Sequence, residues 1–264
     1  MKKNMIKLAV IIGILLLVFV SVNVWAEEEE KPSVSADIAV LSKYVWRGYE
    51  FSKNSAVIQP SMTIGYKGAG LNLWGNLDTN AYQATNSESF NETDMTLSYD
   101  KSFGMVGLGV GYIYYALDGI ADSQELYLSV SLDTLLSPSL KVYREIAHES
   151  AWYASLGISH SFKLPKEITL DLAGSVGYYS YDNTDTYAEV DENLTITTNK
   201  YSSMHDGLVS VGLTIPVGKY FTVVPMVAYS FPLTSDAENL IRYTNAYSND
   251  SDYIFGGVTL SMAF

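Results

Sequence analysis

The side chains best suited to moving protons are three histidines, His148, His160 and His205, and their neighbours decide whether they do chemistry. No two have the spacing of zinc ligands. His148-Glu149 and His205-Asp206 set an imidazole beside a carboxyl group, the components of a hydrolytic dyad. Adjacent residues on a strand point to opposite faces, which makes both poor dyads. His160 shares parity with Leu156, Ile158 and Phe162 and belongs at an interfacial rim. Gly107-Leu108-Gly109-Val110-Gly111 has the glycine spacing of a phosphate loop, but no helical pattern follows it, so it reads as a packing feature of a strand. The acid-rich stretch from Asp182 to Glu192 lacks the glycine and terminal glutamate of a calcium loop; it offers weak divalent-cation contact through Asp185, Asp191 and Glu192. These residues predict no catalytic centre, no cofactor and no metal site.

The elements that must carry any other function are constrained by composition. The absence of cysteine excludes disulfides, thiolate metal sites, a cysteine nucleophile and a lipid-modified cysteine anchor. With 29 acidic against 16 basic residues, a net charge of −13, the chain lacks the basic surface that nucleic acid requires, while its field attracts cations. A chain 48% apolar and 17% charged is too hydrophobic for general disorder. Its 21 tyrosines and 19 glycines suit antiparallel strands, glycine at crowded positions and tyrosine at an interface.

Lys2, Lys3 and Lys7 precede the uncharged apolar run Leu8 to Val22, then Val24-Trp25-Ala26 and four glutamates. That order predicts a secretory signal peptide over residues 1–26. The run is short of the roughly 20 residues a helical span needs, which disfavours an uncleaved single-span anchor. Loss of three lysines leaves 13 basic and 29 acidic residues, a net charge of −16. Residues 27–34 form a short acidic segment, and the remaining 35–264 hold no second apolar run of helical spanning length, so a protein that stays in a membrane does so with strands.

From residue 35 onward the dominant period is two. Leu126, Leu128, Val130 and Leu132 alternate with Tyr127, Ser129 and Ser131; Val209, Val211, Leu213 and Ile215 alternate with Ser210, Gly212 and Thr214. Twelve strands are predicted, near 35–47, 56–67, 70–80, 92–101, 104–116, 122–133, 138–147, 150–163, 166–181, 203–217, 219–232 and 251–264. Short turns at 67–70, 101–104, 164–166 and 217–219 alternate with longer polar connections, among them 81–91, 182–202 and 233–250. An even number of strands with tight turns at one end and long loops at the other describes an antiparallel transmembrane β-barrel; a soluble β-sandwich is the competing all-β reading. The last strand puts Ile254, Gly256, Val258, Leu260, Met262 and Phe264 on one face and stops at the aromatic. Outer-membrane proteins commonly end this way, which implies that Leu260, Met262 and Phe264 form a signal for the barrel-assembly machinery.

Ser42-Lys43-Tyr44-Val45-Trp46-Arg47-Gly48, then Ala56 to Pro60 with Gln59, then Gly70-Leu71 and Trp74-Gly75-Asn76-Leu77-Asp78 resemble the opening of the TorF-family porins. That family's pattern is approximately S-D-Y-V-[FW]-R-G, a P-A-x-Q-like segment and G-x-W-x-S/N-x-x-D. The match spans the first three predicted strands, with Lys43 where the family often has aspartate and Ser55 where proline is common. The resemblance implies a bacterial outer-membrane barrel of porin type, with Ser42, Tyr44, Trp46, Arg47, Gly48, Gln59, Trp74 and Asp78 as its motif residues.

Parity gives an interior. With Ile38, Val40, Tyr44 and Trp46 facing lipid, Asp37, Lys43 and Arg47 point inward, as do Asn72, Trp74, Asn76 and Asp78. Gln59, Asp94, Asp100, Glu125, Tyr127, Lys141, Glu145 and Asp171 share that interior. Lys43 and Arg47 either pair with these carboxylates and plug the lumen or shape an ion-selective field together with Asp78, Asp94, Glu125, Lys141 and Asp171. Twelve strands give a backbone diameter of roughly 24 Å, enough for ions and small solutes but not for folded partners. The bare strip of Gly107, Gly109 and Gly111 either leaves free lumen or receives a large neighbour such as Trp74. The expected function is a passive channel for small solutes or ions, without cofactor or catalysis. The expected surroundings are outer-membrane lipid and lipopolysaccharide. A closed barrel acting through acidic surface loops, and less so a lipid-modifying enzyme, are the alternatives.

Overall fold

The computed structural model of the chain describes residues 31–52, 55–80, 89–185, 187–245 and 248–264. The expected signal peptide, 1–26, lies outside them. The chain enters at β1 (Ser33–Leu41), makes two very short strands, β2 (Val45–Trp46) and β3 (Tyr49–Glu50), and continues through β4 (Val57–Tyr66), β5 (Ala69–Asp78), β6 (Ser89–Phe103), β7 (Val106–Leu117), β8 (Ser123–Leu132), β9 (Ser139–Glu145), β10 (Ala151–Lys163) and β11 (Thr169–Tyr181). After a small ribbon of β12 (Ala188–Val190) and β13 (Ile196–Lys200) come β14 (Ser202–Val217), β15 (Phe221–Pro232), the helix α1 (Ser235–Thr244) and β16 (Tyr253–Ala263).

Twelve of these strands close an antiparallel barrel in the order β1-β16-β15-β14-β11-β10-β9-β8-β7-β6-β5-β4. β1 joins β16 from Ser35↔Ala263 to Leu41↔Gly257, so the ladder has no free edge. The β-sandwich is thereby excluded. Alternation along each strand sends Ile38, Leu97, Leu128, Ile158, Val209 and Val258 outward, where all are exposed. A belt of this kind would be an unusually large apolar surface in water and is the ordinary exterior of a barrel in hydrocarbon. Among the described residues no helix is long and apolar enough to cross a membrane.

Tight turns such as Lys67-Gly68, with φ of 51° and 84°, gather at one rim, and the described parts of the long connections, 42–52, 187–201 and 233–245, gather at the other. The core sits inside the barrel toward the long-loop rim. There Tyr49, Tyr153, Tyr179, Tyr181 and Tyr201 cluster with Leu240 and Ile241 of α1. Thr234 caps α1 by accepting a hydrogen bond from the Ala237 N–H at 3.2 Å, acids occupy its first turn and Arg242 its last.

The first predicted strand needs correction. It ends at Leu41, six residues before the expected position, and residues 42–52 leave the wall. Tyr44 is therefore buried inside the barrel instead of facing lipid, and Trp46 turns inward with it. The glycine strip of β7 is not filled by Trp74: the Tyr127 ring lies against Gly111, and Asp100 and Ser129 lie against Gly109. At the other end of the chain, Leu260 and Met262 lie on the outer face. The Phe264 ring rests 5.4 Å from Tyr220, and its N–H donates to Val34 O at 2.9 Å.

Candidate functional site: a plugged lumen

Local bonding explains why the chain turns inward after Leu41. Ser42 adds one last rung to β16, donating its N–H to Gly256 O at 2.8 Å and accepting from Gly256 N–H at 3.1 Å on its hydroxyl. Beyond it the Tyr44 N–H donates to Ser52 Oγ and the Phe51 N–H to Tyr44 O, both at 2.8 Å, so these two backbone groups are satisfied within the segment. β2 and β3 pair as Val45↔Glu50 and Trp46↔Tyr49 around Arg47 and Gly48, with φ of 48° and 82°. Two left-handed residues make a tight two-residue hairpin turn. Lys43 Nζ closes the same hairpin on Glu50 Oε1 at 2.6 Å. Its return limb is pinned where Ser55 Oγ donates to Asp78 Oδ1 at 2.6 Å, and its entry limb rests the Tyr44 ring 5.7 Å from Trp74.

The hairpin carries a cation to the centre of the barrel. Arg47 meets Glu125 of β8 in a two-pronged contact, Nη1 to Oε1 at 2.7 Å and Nη2 to Oε2 at 2.8 Å, and the Tyr115 hydroxyl donates to the same carboxylate at 2.8 Å. The guanidinium lies 4.2 Å from the ring centres of Trp46 and Tyr153 and 4.5 Å from that of Tyr143. Both charged side chains are about 5% exposed. A buried ion pair adds little net stability over an apolar pair of similar shape, but it fixes one register, because each partner strands the other's charge if it moves. The Arg47–Glu125 pair is thus a positioning device for the hairpin tip.

The tip is also held from above. A Cβ on Gly48 would stand 3.0 Å from Asp206 Cβ and 3.2 Å from Ile241 Cδ1, on a backbone at φ +82°. Gly48→Ala is expected to weaken the seated hairpin by about 1–2 kcal/mol. The check is limited proteolysis of the refolded barrel, with faster cleavage in the 42–56 segment; cleavage at the wild-type rate would mean the tip is not clasped.

Two cavities flank the hairpin. The one toward the tight-turn rim, about 560 Å³, has a hydroxyl-rich wall that includes Ser139, Ser155, Ser175 and Ser210, and Asp94 and Lys141 also line it. The one toward the long loops, about 540 Å³, is lined by aromatic and acidic side chains. Trp46 and Tyr115 line both, Arg47 faces the first and Glu125 the second, so these four side chains make the septum between them. In the loop above, burial pushes the Glu149 carboxyl above its ordinary range and the Tyr187 hydroxyl up to about 12.

Of the residues singled out by sequence, Arg47 and Glu125 come together, and Lys43 bonds to Glu50 within the hairpin. Asp78 anchors the hairpin's end. Asp94 lines the first cavity with Oδ1 lacking a hydrogen-bond partner among the described residues. Lys141 lies 5.7 Å from the Tyr127 ring. Asp171 is tied to Ser161, Thr169 and Thr214 at 2.5, 3.1 and 2.6 Å, joining three strands near the tight-turn rim. Gln59 donates to Asn76 at 3.0 Å and Asn76 to Asn91 at 2.7 Å, a side-chain chain along the inner wall. The resemblance motif is thus one object, a hairpin and the wall that receives it.

His205 and Asp206 lie beside an irregularity of the wall. The register of β11 on β14 shifts between Val176 and Tyr178, and both residues are buried. They do not pair with each other: His205 Nδ1 is 2.7 Å from the Tyr201 hydroxyl, and Asp206 accepts from Tyr153 at 3.0 Å. His148 and Glu149 lie 4.0 Å apart on a loop. Asp191 Oδ1 accepts the N–H groups of Asn193 and Thr195 at 2.9 Å and shapes the β12–β13 turn, and no group of three or more metal-ligating side chains occurs among the described residues.

No protein-family model matches the chain, and no curated protein matches it. Solved structures do. The NanC porin aligns with a TM-score of 0.55 at 11% identity, over 86% of this chain and 98% of that one. In-vitro folded OmpT of Vibrio cholerae aligns at 0.40 and 8% identity, over 89% and 97% of the two chains. The translocator domain of the autotransporter NalP from Neisseria meningitidis aligns at 0.40 and 10% identity, over 90% of each. The first of these establishes a shared barrel fold.

Proposed function

We propose that the chain is a porin-like channel of the bacterial outer membrane that passes small solutes or ions, with residues 42–52 as a plug across its lumen. The observation that carries this reading is the pair of cavities, about 560 and 540 Å³, that share Trp46 and Tyr115 and are parted by the Arg47–Glu125 contact. A barrel built only as a scaffold has no need of solvent-sized chambers on both sides of an inward-turned hairpin. The TorF-like motif supports the reading, because its residues build the plug and its seat. Passage would be diffusion past the septum when the hairpin tip leaves Glu125, with Asp94, Lys141 and Asp171 shaping the field below. Outer-membrane lipid and lipopolysaccharide would surround the apolar belt, and the strand ending Leu260-Ser261-Met262-Ala263-Phe264 would be read by the barrel-assembly machinery.

The burial of the septum favours one competing reading, a closed barrel that acts through its long loops. Planar-bilayer recordings separate the two. The refolded protein is compared with a variant whose residues 43–55 are replaced by a glycine-serine linker of equal length. A channel gives brief, small steps in the wild type and large, steady ones in the variant. A folded, heat-modifiable variant that stays silent would leave the closed-barrel reading standing.

A further inference from the structure

The cavity on the long-loop side has the chemistry of a receptor. Six carboxyl groups line it, from Glu50, Glu92, Asp118, Glu125, Glu145 and Glu149, with the His148 imidazole 4.0 Å from Glu149, and among the described residues its lining includes no lysine or arginine. Lys43 and Arg47 answer Glu50 and Glu125 from behind. Glu145 is held by four backbone N–H groups of residues 147–150, which solvate its charge without cancelling it. The cavity therefore keeps a surplus of negative groups beside the ring surfaces of Trp46, Tyr49, Phe51, Tyr181 and Tyr187.

Tyr49 supplies part of the aromatic wall: its side chain lines the cavity, and the residue is only 8% exposed. The barrel already uses the same chemistry one layer below, where the Arg47 guanidinium sits among three ring faces against a carboxylate. Ring faces attract organic cations through their quadrupole, and desolvation strengthens the attraction. A volume of about 540 Å³ suits a small molecule, and the exposed residues Asp118 and Ile120 stand at its outer edge.

We propose that this cavity binds a monovalent organic cation that carries an apolar group, an aryl- or alkylammonium ion, with the carboxyl groups of Glu92 and Glu149 and the rings around Tyr49 as its recognition elements. This goes beyond the channel reading and does not depend on it, since a barrel that never conducts can still hold such a ligand.

The test is calorimetric titration of the refolded barrel in detergent with benzyltrimethylammonium, benzyl alcohol and benzoate. Saturable binding of the cation is expected, at least about tenfold tighter than the alcohol, with none for benzoate. Glu92→Gln with Glu149→Gln should weaken the cation about tenfold or more, and Asp118→Asn at the exposed edge should weaken it less. Asp133→Asn, which removes one charge at the opposite rim, should leave binding unchanged. Heat-modifiable migration shows that each variant is folded; if the double variant is not, Asp118→Asn decides. Absence of saturable cation binding, equal binding of the alcohol, or folded charge variants that bind like the wild type would each overturn the proposal.

Discussion

Arg47→Ala is expected to raise the conductance of the refolded barrel several-fold and to lengthen its open times. The substitution leaves Glu125 buried with the Tyr115 hydroxyl as its remaining side-chain donor. Stranding one partner of a buried pair costs about 3–5 kcal/mol, and the three ring faces lose a cation worth about 0.5–2 kcal/mol each. What else holds the hairpin is the packing of Gly48 against Asp206 and Ile241 at the tip and, at its base, Ser42 on Gly256 and Ser55 on Asp78. The base stays tethered while the tip loses its charged fastening. The double variant Arg47→Met with Glu125→Leu is expected to behave in the opposite way, since two apolar side chains of similar volume replace a buried pair with little loss. It should keep the small, brief steps of the wild type. Equal conductance of the single variant and the wild type would remove the septum from the path.

The second large effect concerns closure. A Cβ on Gly257 would fall inside the contact shell of the Val40 carbonyl oxygen and 2.8 Å from Leu41 Cα, so backbone and not a yielding side chain stands in its way. Gly257 pairs with Leu41 at the top of the seam, where the first and last strands meet over seven positions. In hydrocarbon each unpaired backbone group costs several kcal/mol, so a seam that cannot zip its upper end penalises the whole barrel. Gly257→Ala is expected to lower the folded, heat-modifiable fraction severely. Gly174→Ala supplies the contrast: its Cβ would meet nothing closer than 3.6 Å, and it should fold like the wild type. Equal folding of the two variants would mean that the seam tolerates a shift the present geometry does not allow.

Most of the wall was legible in the sequence, because a side chain on a barrel strand meets either lipid or lumen, and that choice writes period two. The stretch expected at 150–163 is Ala151–Lys163, and that expected at 251–264 is Tyr253–Ala263. The hairpin was not legible by that rule, because Tyr44, Val45 and Trp46 continue a strand-like pattern while the chain has already left the wall. Its one local sign was Gly48 just after Arg47, between two aromatics, where a two-residue turn fits. Periodicity cannot tell a residue facing the lumen from one that crosses it.

The helix carried a clearer sign, since Thr234 precedes Ser235-Asp236-Ala237-Glu238 and Ala237, Leu240, Ile241 and Thr244 recur at helical spacing. At His205-Asp206 a register shift set the outcome, and such a shift depends on the neighbouring strand more than on the dipeptide. The tyrosines around Arg47 come from β7, β9, β10 and β11, so their convergence is a property of the closed ring and of no single segment.

The tryptophans of the barrel are divided by its wall. Trp46 lies in the septum and Trp74 under Tyr44, whereas Trp152 is exposed on the outside, 5.0 Å from the Arg144 guanidinium. Light emission from the folded protein thus has an inner and an outer source, and quenchers dissolved in lipid reach the outer one first. In protein refolded without residues 1–26, and so without Trp25, Trp152→Phe leaves only fluorescence from the hairpin and its seat, and its colour follows the wetness of the lumen without any attached dye.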